Sequence, residues 1–319
     1  MATRWSRWTM RWSAARCAPS RSARRTPGRW KSKTFPKGPD IRLLPDGRRL
    51  HLQHGPIDLV VGASGAQTEI EAAYRQIGAA FQDVLRRLAD ELALLRTPLG
   101  ARRPEPAGPV ARRMVAACWP HRAVFVTPMA AVAGAVADEM LAALVAGRAL
   151  ETAYVNNGGD IAIHLAPGSV LELGVVARLD APSIDATARL AHAMPVRGIA
   201  TSGWRGRSRS FGIADSATVL AADAAAADVA ATLIANEVTL DDPAIARRPA
   251  SDLDDDSDLG DRPVTVAVGR LSKPAVDQAL DRGARCARAM RRAGQIAAAM
   301  LVLRDRRRTI GDAGALAPG

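Results

Sequence analysis

Hydrophobic and polar positions follow one another along this chain in patterns that predict its elements. Arg42–Leu44, the turn residues Pro45-Asp46-Gly47 and the run Arg48–Gln53 predict a β-hairpin. Ile57, Leu59 and Val61 alternate as a third strand. Ile70, Ile77, Phe81, Leu85, Leu88, Leu92 and Leu95 then recur at helical spacing, with Thr68 and Glu71 as a capping box and Thr97-Pro98-Leu99-Gly100 as the stop. Residues 101–109 read as a loop. Thr127-Pro128 opens a second helix that runs to about Val145 and stops at Gly147. Gly134 inside that helix predicts the close approach of another backbone.

Further on, Thr152–Val155 and Ile161–Leu165 read as strands on either side of Asn156-Asn157-Gly158-Gly159-Asp160. Leu171–Arg178 is a further strand. Ala217–Ala221 is another, feeding an Ala-rich helix from about Asp223 to Asn236. Val264–Val268 is a late strand, followed by a helix from about Pro274 to Arg304, broken or kinked near Gly283 and Gly294. Neither a repeat nor a linker interrupts the pattern after residue 40. The fold class expected is α/β (α+β): one domain, residues 40–319, of mixed sheet and packed helices.

The net charge of +12 changes this picture less than it suggests. Residues 1–39 hold 11 Lys or Arg and no Asp or Glu, which leaves about +1 on the other 280 residues. Trp5, Trp8, Trp12 and Trp30 stand among those arginines. Such a stretch can meet nucleic acid or an anionic membrane surface, but without a core of its own it reads as a disordered basic N-terminal extension. Nucleic acid and membrane are therefore not the expected partners of the domain. Cys17, Cys118 and Cys286 form no C-x-x-C pair, and no uninterrupted apolar run reaches membrane-spanning length. The stretch Ala130–Val145 comes nearest and is interrupted by Asp138 and Glu139. The expected location is cytoplasmic.

Candidate chemistry concentrates in a few places. In Asn156–Asp160, paired glycines let a ligand approach the backbone, the Asn side chains can read a base or ribose, and Asp160 can approach a cation. The same residues also make a plain hairpin turn. Asp228 and Thr232 lie four apart on one helical face and offer the hard oxygens that Mg²⁺ takes beside waters and substrate phosphates, although such pairs are common on helix surfaces and the spacing alone favours that plainer reading. Thr201, Ser202 and Gly203 precede Arg205, Arg207 and Arg209, a combination suited to phosphate oxygens or to a solvated loop. The aspartates between Asp252 and Asp261 lack the pattern of an EF-hand, and the five histidines show no metal-ligand spacing. No side chain is singled out as a catalytic base.

Taken together, Arg113–Trp119 (RMVAACW), Thr127–Asp138 (TPMAAVAGAVAD), Val155–Asp160 (VNNGGD), Gly198–Gly203 (GIATSG), Gly212–Glu237 (GIADSATVLAADAAAADVAATLIANE) and Asp258–Val268 (DLGDRPVTVAV) resemble the ApbE-like superfamily. Its best-known members are FAD:protein FMN transferases, and this chain is most similar to the branch called uncharacterised protein family 0280. The resemblance implies an ApbE-like domain in which Asp228 and Thr232 help hold Mg²⁺. Gly158, Gly159 and Asp160, with Asn156 and Asn157 beside them, would line a site for FAD bordered by Thr201, Ser202 and Gly203. It implies an enzyme acting on the pyrophosphate of FAD or a related nucleotide, by flavin transfer to a Ser or Thr of a target protein or by hydrolysis. Two departures stand out. Trp204–Ala217 carries no histidine where the transferases have one, and Ala131–Gly134 has no lysine. They point to the alternative of a flavin- or nucleotide-binding protein that kept the pocket and lost the catalytic base.

Overall fold

A computed structural model of the chain describes residues 38–175, 186–311, 317 and 318. The expected hairpin forms: β1 (Asp40–Leu43) pairs with β2 (Leu50–His54), which pairs with β3 (Ile57–Gly65). Asp46 fixes the turn by accepting from the amides of Arg48 and Arg49. Ile57, Leu59 and Val61 all enter the core, as their alternation requires.

The single long helix expected next is three helices: α1 (Gln67–Phe81), α2 (Val84–Asp90) and α3 (Leu92–Leu95). Its apolar spacing runs on across Gln82 and Asp83 because all three segments pack on one core, so periodicity alone hides the breaks. No capping box forms, since Ala66 is the N-cap and Thr68 and Glu71 lie inside the helix. The loop at residues 101–109 gives way at its end to α4 (Pro109–Cys118), with proline in the first turn. Thr127 takes the N-cap position of a short 3₁₀ turn, Pro128–Ala131, and its hydroxyl donates to Asp258 instead of capping. Then comes α5 (Val132–Val145), stopped where Gly147 adopts φ +67°.

The remaining elements are β4 (Leu150–Asn157), β5 (Asp160–Leu165), β6 (Val170–Val175), β7 (Ala186–Ala191), β8 (Gly198–Ser202), β9 (Ser216–Ala221), α6 (Ala224–Glu237), β10 (Ile245–Pro249), β11 (Pro263–Val268), α7 (Lys273–Arg292), β12 (Ala298–Leu303), β13 (Arg306–Ile310) and β14 (Ala317–Pro318). Residues 176–178 of the strand expected at Leu171–Arg178 lie outside the described residues, as do residues 1–37 of the expected N-terminal extension. The last helix is shorter than its pattern implied. It ends at Arg292, where Gly294 at φ +72° reverses the chain and its amide bonds the Arg291 carbonyl. Ala298–Leu303 is then a strand of the large sheet, buried on both faces, which removes the alternation that would distinguish it from a helix. Gly283 makes no kink; it sits inside α7 against Val238 and Leu301.

Nine strands form one sheet in the order β1-β2-β3-β4-β5-β8-β9-β12-β13, antiparallel at every ladder. One face carries the helices over a core that includes Phe81, Met114, Met140, Val219 and Leu301. The other face buries Ile163, Leu220 and Met300 against Leu173 and Leu190 of the small sheet β14-β7-β6. The α+β architecture is thus a sheet with a helical layer on one side and a strand layer on the other. One helical stretch, Pro128–Val145, combines the 3₁₀ turn with α5 and is long and apolar enough to cross a membrane by length and composition alone; half of it is buried inside the domain.

Candidate functional site

Helices α5 and α6 cross where α5 can carry no side chain between them. A Cβ on Gly134 would overlap the carbonyl group of Ala224, so glycine is required by the close approach that the sequence suggested. At this crossing each helix supplies a carboxylate to the other's N-terminal amides. Asp138 of α5 accepts from Ala224 N (3.0 Å) and Ala225 N (2.8 Å) at the start of α6. Asp228 of α6 accepts from Gly134 N (3.0 Å) near the start of α5, and the Ala133 amide adds a second bond. Asp223 completes the α6 terminus by accepting from Ala226 N at 2.7 Å. These bonds satisfy amides that a helix leaves without internal partners, and negative charge there complements the helix dipole.

The β4–β5 hairpin reaches the same place from the sheet. Asn156 accepts from Gly159 N at 2.8 Å and so locks the turn, whose two glycines have φ +65° and +117°. Asn157 donates from Nδ2 to the Ala133 carbonyl at 3.1 Å and ties the hairpin to α5. Both Asn side chains therefore serve the fold, and the hairpin-turn reading holds for them. Asp160, the first residue of β5, accepts from Thr201 N on the neighbouring strand β8 at 3.3 Å.

Asp160 and Asp228 stand close enough that each charge disfavours the other. Burial raises both carboxyl groups far above the ordinary carboxylate range, and for Asp228 the charge of Asp160 adds to it; hydrogen bonds from Thr201, Gly134 and Ala133 offset only part. Each residue is still partly reached by solvent while its carboxylate lies deep among protein atoms. Cys118 lies close to Asp228. Its thiol faces the Pro128 carbonyl and is held protonated by burial and by the charge of Asp228.

The other expected site residues divide into two groups. Thr201 bonds through its hydroxyl to Thr218 at 2.9 Å across the β8–β9 ladder, and Gly203 is pressed against the carbonyls of Ala214 and Asp215, so both hold the ends of these two interior strands together. Ser202 and Thr232 are half-buried, and neither hydroxyl has a partner among the described residues. Thr232 follows Asp228 by one helical turn and shares its face. Arg207 lies beside the hairpin tip, donating to the Pro56 carbonyl at 3.2 Å close to Gly158. Sequence reasoning passed over Asp138 and Asp215. The signal for Asp138 was present: a carboxylate among apolar residues of a buried helix must answer buried donors. Asp215, whose side chain is 7% exposed, accepts from Trp204 Nε1, Arg205 Nε and Arg304 N.

Among the described residues no three His, Cys, Asp or Glu converge in a manner that could hold a metal, so the donor set here is two carboxylates with nearby hydroxyls. The cavity of about 300 Å³ lined by Asp83, Glu91 and Glu139 lies against α1, α2 and α5 and does not include the pair.

The fold and its paired carboxylates define an α+β protein with two mutually disfavouring aspartates, Asp160 on the sheet and Asp228 on α6. The chain belongs to the UPF0280 family: the family model described as AbpE bacteria matches residues 41–312. It is similar to a UPF0280 protein of Methanothrix thermoacetophila, 40% identical over 136 residues, covering 42% of this chain and 54% of that one. A UPF0280 protein of Methanopyrus kandleri is 33% identical over 202 residues, 62% of this chain and 78% of its own length. One from Methanothermobacter thermautotrophicus is 37% identical over 163 residues, 51% and 61%. The chain spans between 54% and 78% of these relatives.

Proposed function

We propose that this protein is a Mg²⁺-dependent enzyme of ApbE-like kind that acts on the pyrophosphate of FAD or a related nucleotide, by flavin transfer to a target protein or by hydrolysis. The observation that carries the reading is the Asp160–Asp228 pair. Two poorly solvated carboxylates brought together from separate elements disfavour each other's charge, and nothing cationic among their named partners relieves them. A divalent cation would relieve that repulsion and turn an energetic liability into a site. The donor chemistry fits magnesium: hard oxygens, at most two carboxylates, and the free Thr232 hydroxyl one turn away, with the remaining positions left to water and substrate oxygens.

When bound, the ion would neutralise charge on the pyrophosphate during attack at phosphorus. The chain's own contribution is position. The α5 amides hold Asp228, the Thr201 amide holds Asp160, and Gly159, with open space beside it, leaves room for a ligand to approach the backbone. Ser202, unpartnered at the end of β8, can donate to a substrate oxygen. A second reading is a flavin- or nucleotide-binding protein without turnover. Three of the five histidines favour it: His51 pairs with Asp58, His164 with the Leu150 carbonyl and His192 with the Leu165 carbonyl, so these three are engaged away from the carboxylate pair.

The test is incubation of the full chain with FAD and Mg²⁺, with AMP and FMN separated by chromatography and Asp228→Asn run alongside. Release of AMP that requires both Mg²⁺ and Asp228 supports the enzyme. FAD bound without release supports the binding protein, and neither binding nor release removes the flavin reading.

A further inference from the structure

The outer face of α7 carries a concentration of unneutralised charge that the Asp160–Asp228 pair does not use. Arg285, Arg288, Arg291 and Arg292 are all exposed, and residues 282–297 contain no acid. Elsewhere exposed arginines are commonly paired: Arg42 with Asp40, Arg86 with Asp83 and Asp90, Arg248 with Asp252, and on α7 itself Arg282 with Glu237. These four make no ion pair or hydrogen bond among the described residues.

Helix capping does not account for them. The carbonyls at the end of α7 are already taken by backbone amides: Ala289 by Ala293 N, Met290 by Gln295 N and Arg291 by Gly294 N. The guanidinium groups are therefore not needed there, and mutual repulsion makes their grouping unfavourable without a counter-charge. Arg288, Arg291 and Arg292 moreover line one concavity of about 460 Å³, whose floor is Ile296 and Ala297 at the start of β12. Guanidinium groups bind phosphate oxygens in bidentate fashion and stay charged at every physiological pH. The volume is that of a small-molecule site.

We propose that this concavity is a binding site for a compact phosphate-bearing anion, of the polyphosphate or nucleotide-phosphate class, held by Arg288, Arg291 and Arg292 with Arg285 at its rim. It is independent of the carboxylate pair and of the reaction proposed there. Among the described residues no large exposed apolar side chain stands beside it, which argues against a membrane surface. The concavity is open but short, lined by five residues of which three are arginines, which suits a compact anion better than a long phosphodiester backbone.

The test uses the full chain in near-physiological salt, titrated calorimetrically with inorganic tripolyphosphate. The triple variant Arg288→Gln/Arg291→Gln/Arg292→Gln is compared with the control Arg102→Gln/Arg103→Gln, which removes two exposed arginines elsewhere. The triple variant is expected to weaken binding at least tenfold with an unchanged melting temperature, and the control to stay within twofold. No binding by the parent chain, or equal binding by the triple variant, overturns the proposal. Binding of a single-stranded oligonucleotide that depends on these arginines yet resists competition by tripolyphosphate would also overturn it, in favour of a nucleic-acid surface.

Discussion

Asp138 gives a prediction that runs against first intuition about a buried hydrogen-bonded carboxylate. Its two oxygens hold the first amides of α6, which favours the ionised form, but burial outweighs them and pushes its pKa up to about 6. The native state therefore binds this proton more tightly than the unfolded chain does. The contribution to stability is fullest below the ordinary value of 3.8, and is lost as pH rises through about 6. At 1.36 kcal/mol per decade, the loss between pH 4 and pH 7 is roughly 2–3 kcal/mol. Asp138→Asn removes the titration and keeps one acceptor, leaving one of the Ala224 and Ala225 amides opposite an NH₂ group, a cost of about 1–3 kcal/mol. The variant should thus be less stable than the parent by about 2 kcal/mol near pH 4, with the gap closing or reversing by pH 7. Urea unfolding at several pH values, followed by tryptophan emission, measures the difference. Asp160 and Asp228 titrate with the same sign in parent and variant, and the Asp138 charge adds the smallest of the effects that raise Asp228, so the difference between the two proteins reads Asp138 together with that minor coupling. A gap that stays constant, or widens with rising pH, would refute the assignment of burial as the stronger effect.

Two other perturbations follow from close contacts. Gly134→Val places a branched side chain in the Ala224 carbonyl and should cost at least about 3 kcal/mol or prevent folding. Gly147→Ala, facing open space at φ +67°, should cost only about 1 kcal/mol; equal drops in melting temperature would mean the helices have room to separate. Asp215→Ala strips the acceptor from Trp204 Nε1, Arg205 Nε and Arg304 N, and should cost about 3 kcal/mol with a red shift in tryptophan emission. Unchanged emission would show that Trp204 is not held by this carboxylate.

Much of the sheet was legible because local chemistry sets it. Pro45-Asp46-Gly47 and Asn156–Gly159 carry their own turn instructions, and Ile57, Leu59 and Val61 declare one buried face. The errors share a physical origin. Ala298–Leu303 is buried on both sides and looks helical, while the breaks at Gln82 and Asp83 interrupt hydrogen bonding without disturbing the spacing of apolar residues. At the site, Asp160, Asp228 and Thr232 could be named from residue type and resemblance. That Asp160 and Asp228 meet, and that Asp138 and Asp228 cap each other's helices, depends on the crossing of α5 and α6. Only Gly134 hinted at that contact, and a lone glycine does not say what it touches.

The two ends of the nine-stranded sheet bear on how the molecule behaves in company. A strand at an edge offers unpaired amides and carbonyls to any other chain that can align with it. Here one edge, β13, begins with Arg306, Arg307 and Arg308 in succession. Asp277 and Asp281 of α7 hold the first and third, and Arg307 stands exposed. A further strand arriving there would have to strip water from that guanidinium without supplying a counter-ion. The opposite edge, β1, is four residues long and carries the Arg42–Asp40 pair. Fibre-like growth from sheet to sheet is discouraged at both ends by charge and brevity, leaving a sheet of this width free to remain solitary in a crowded solution.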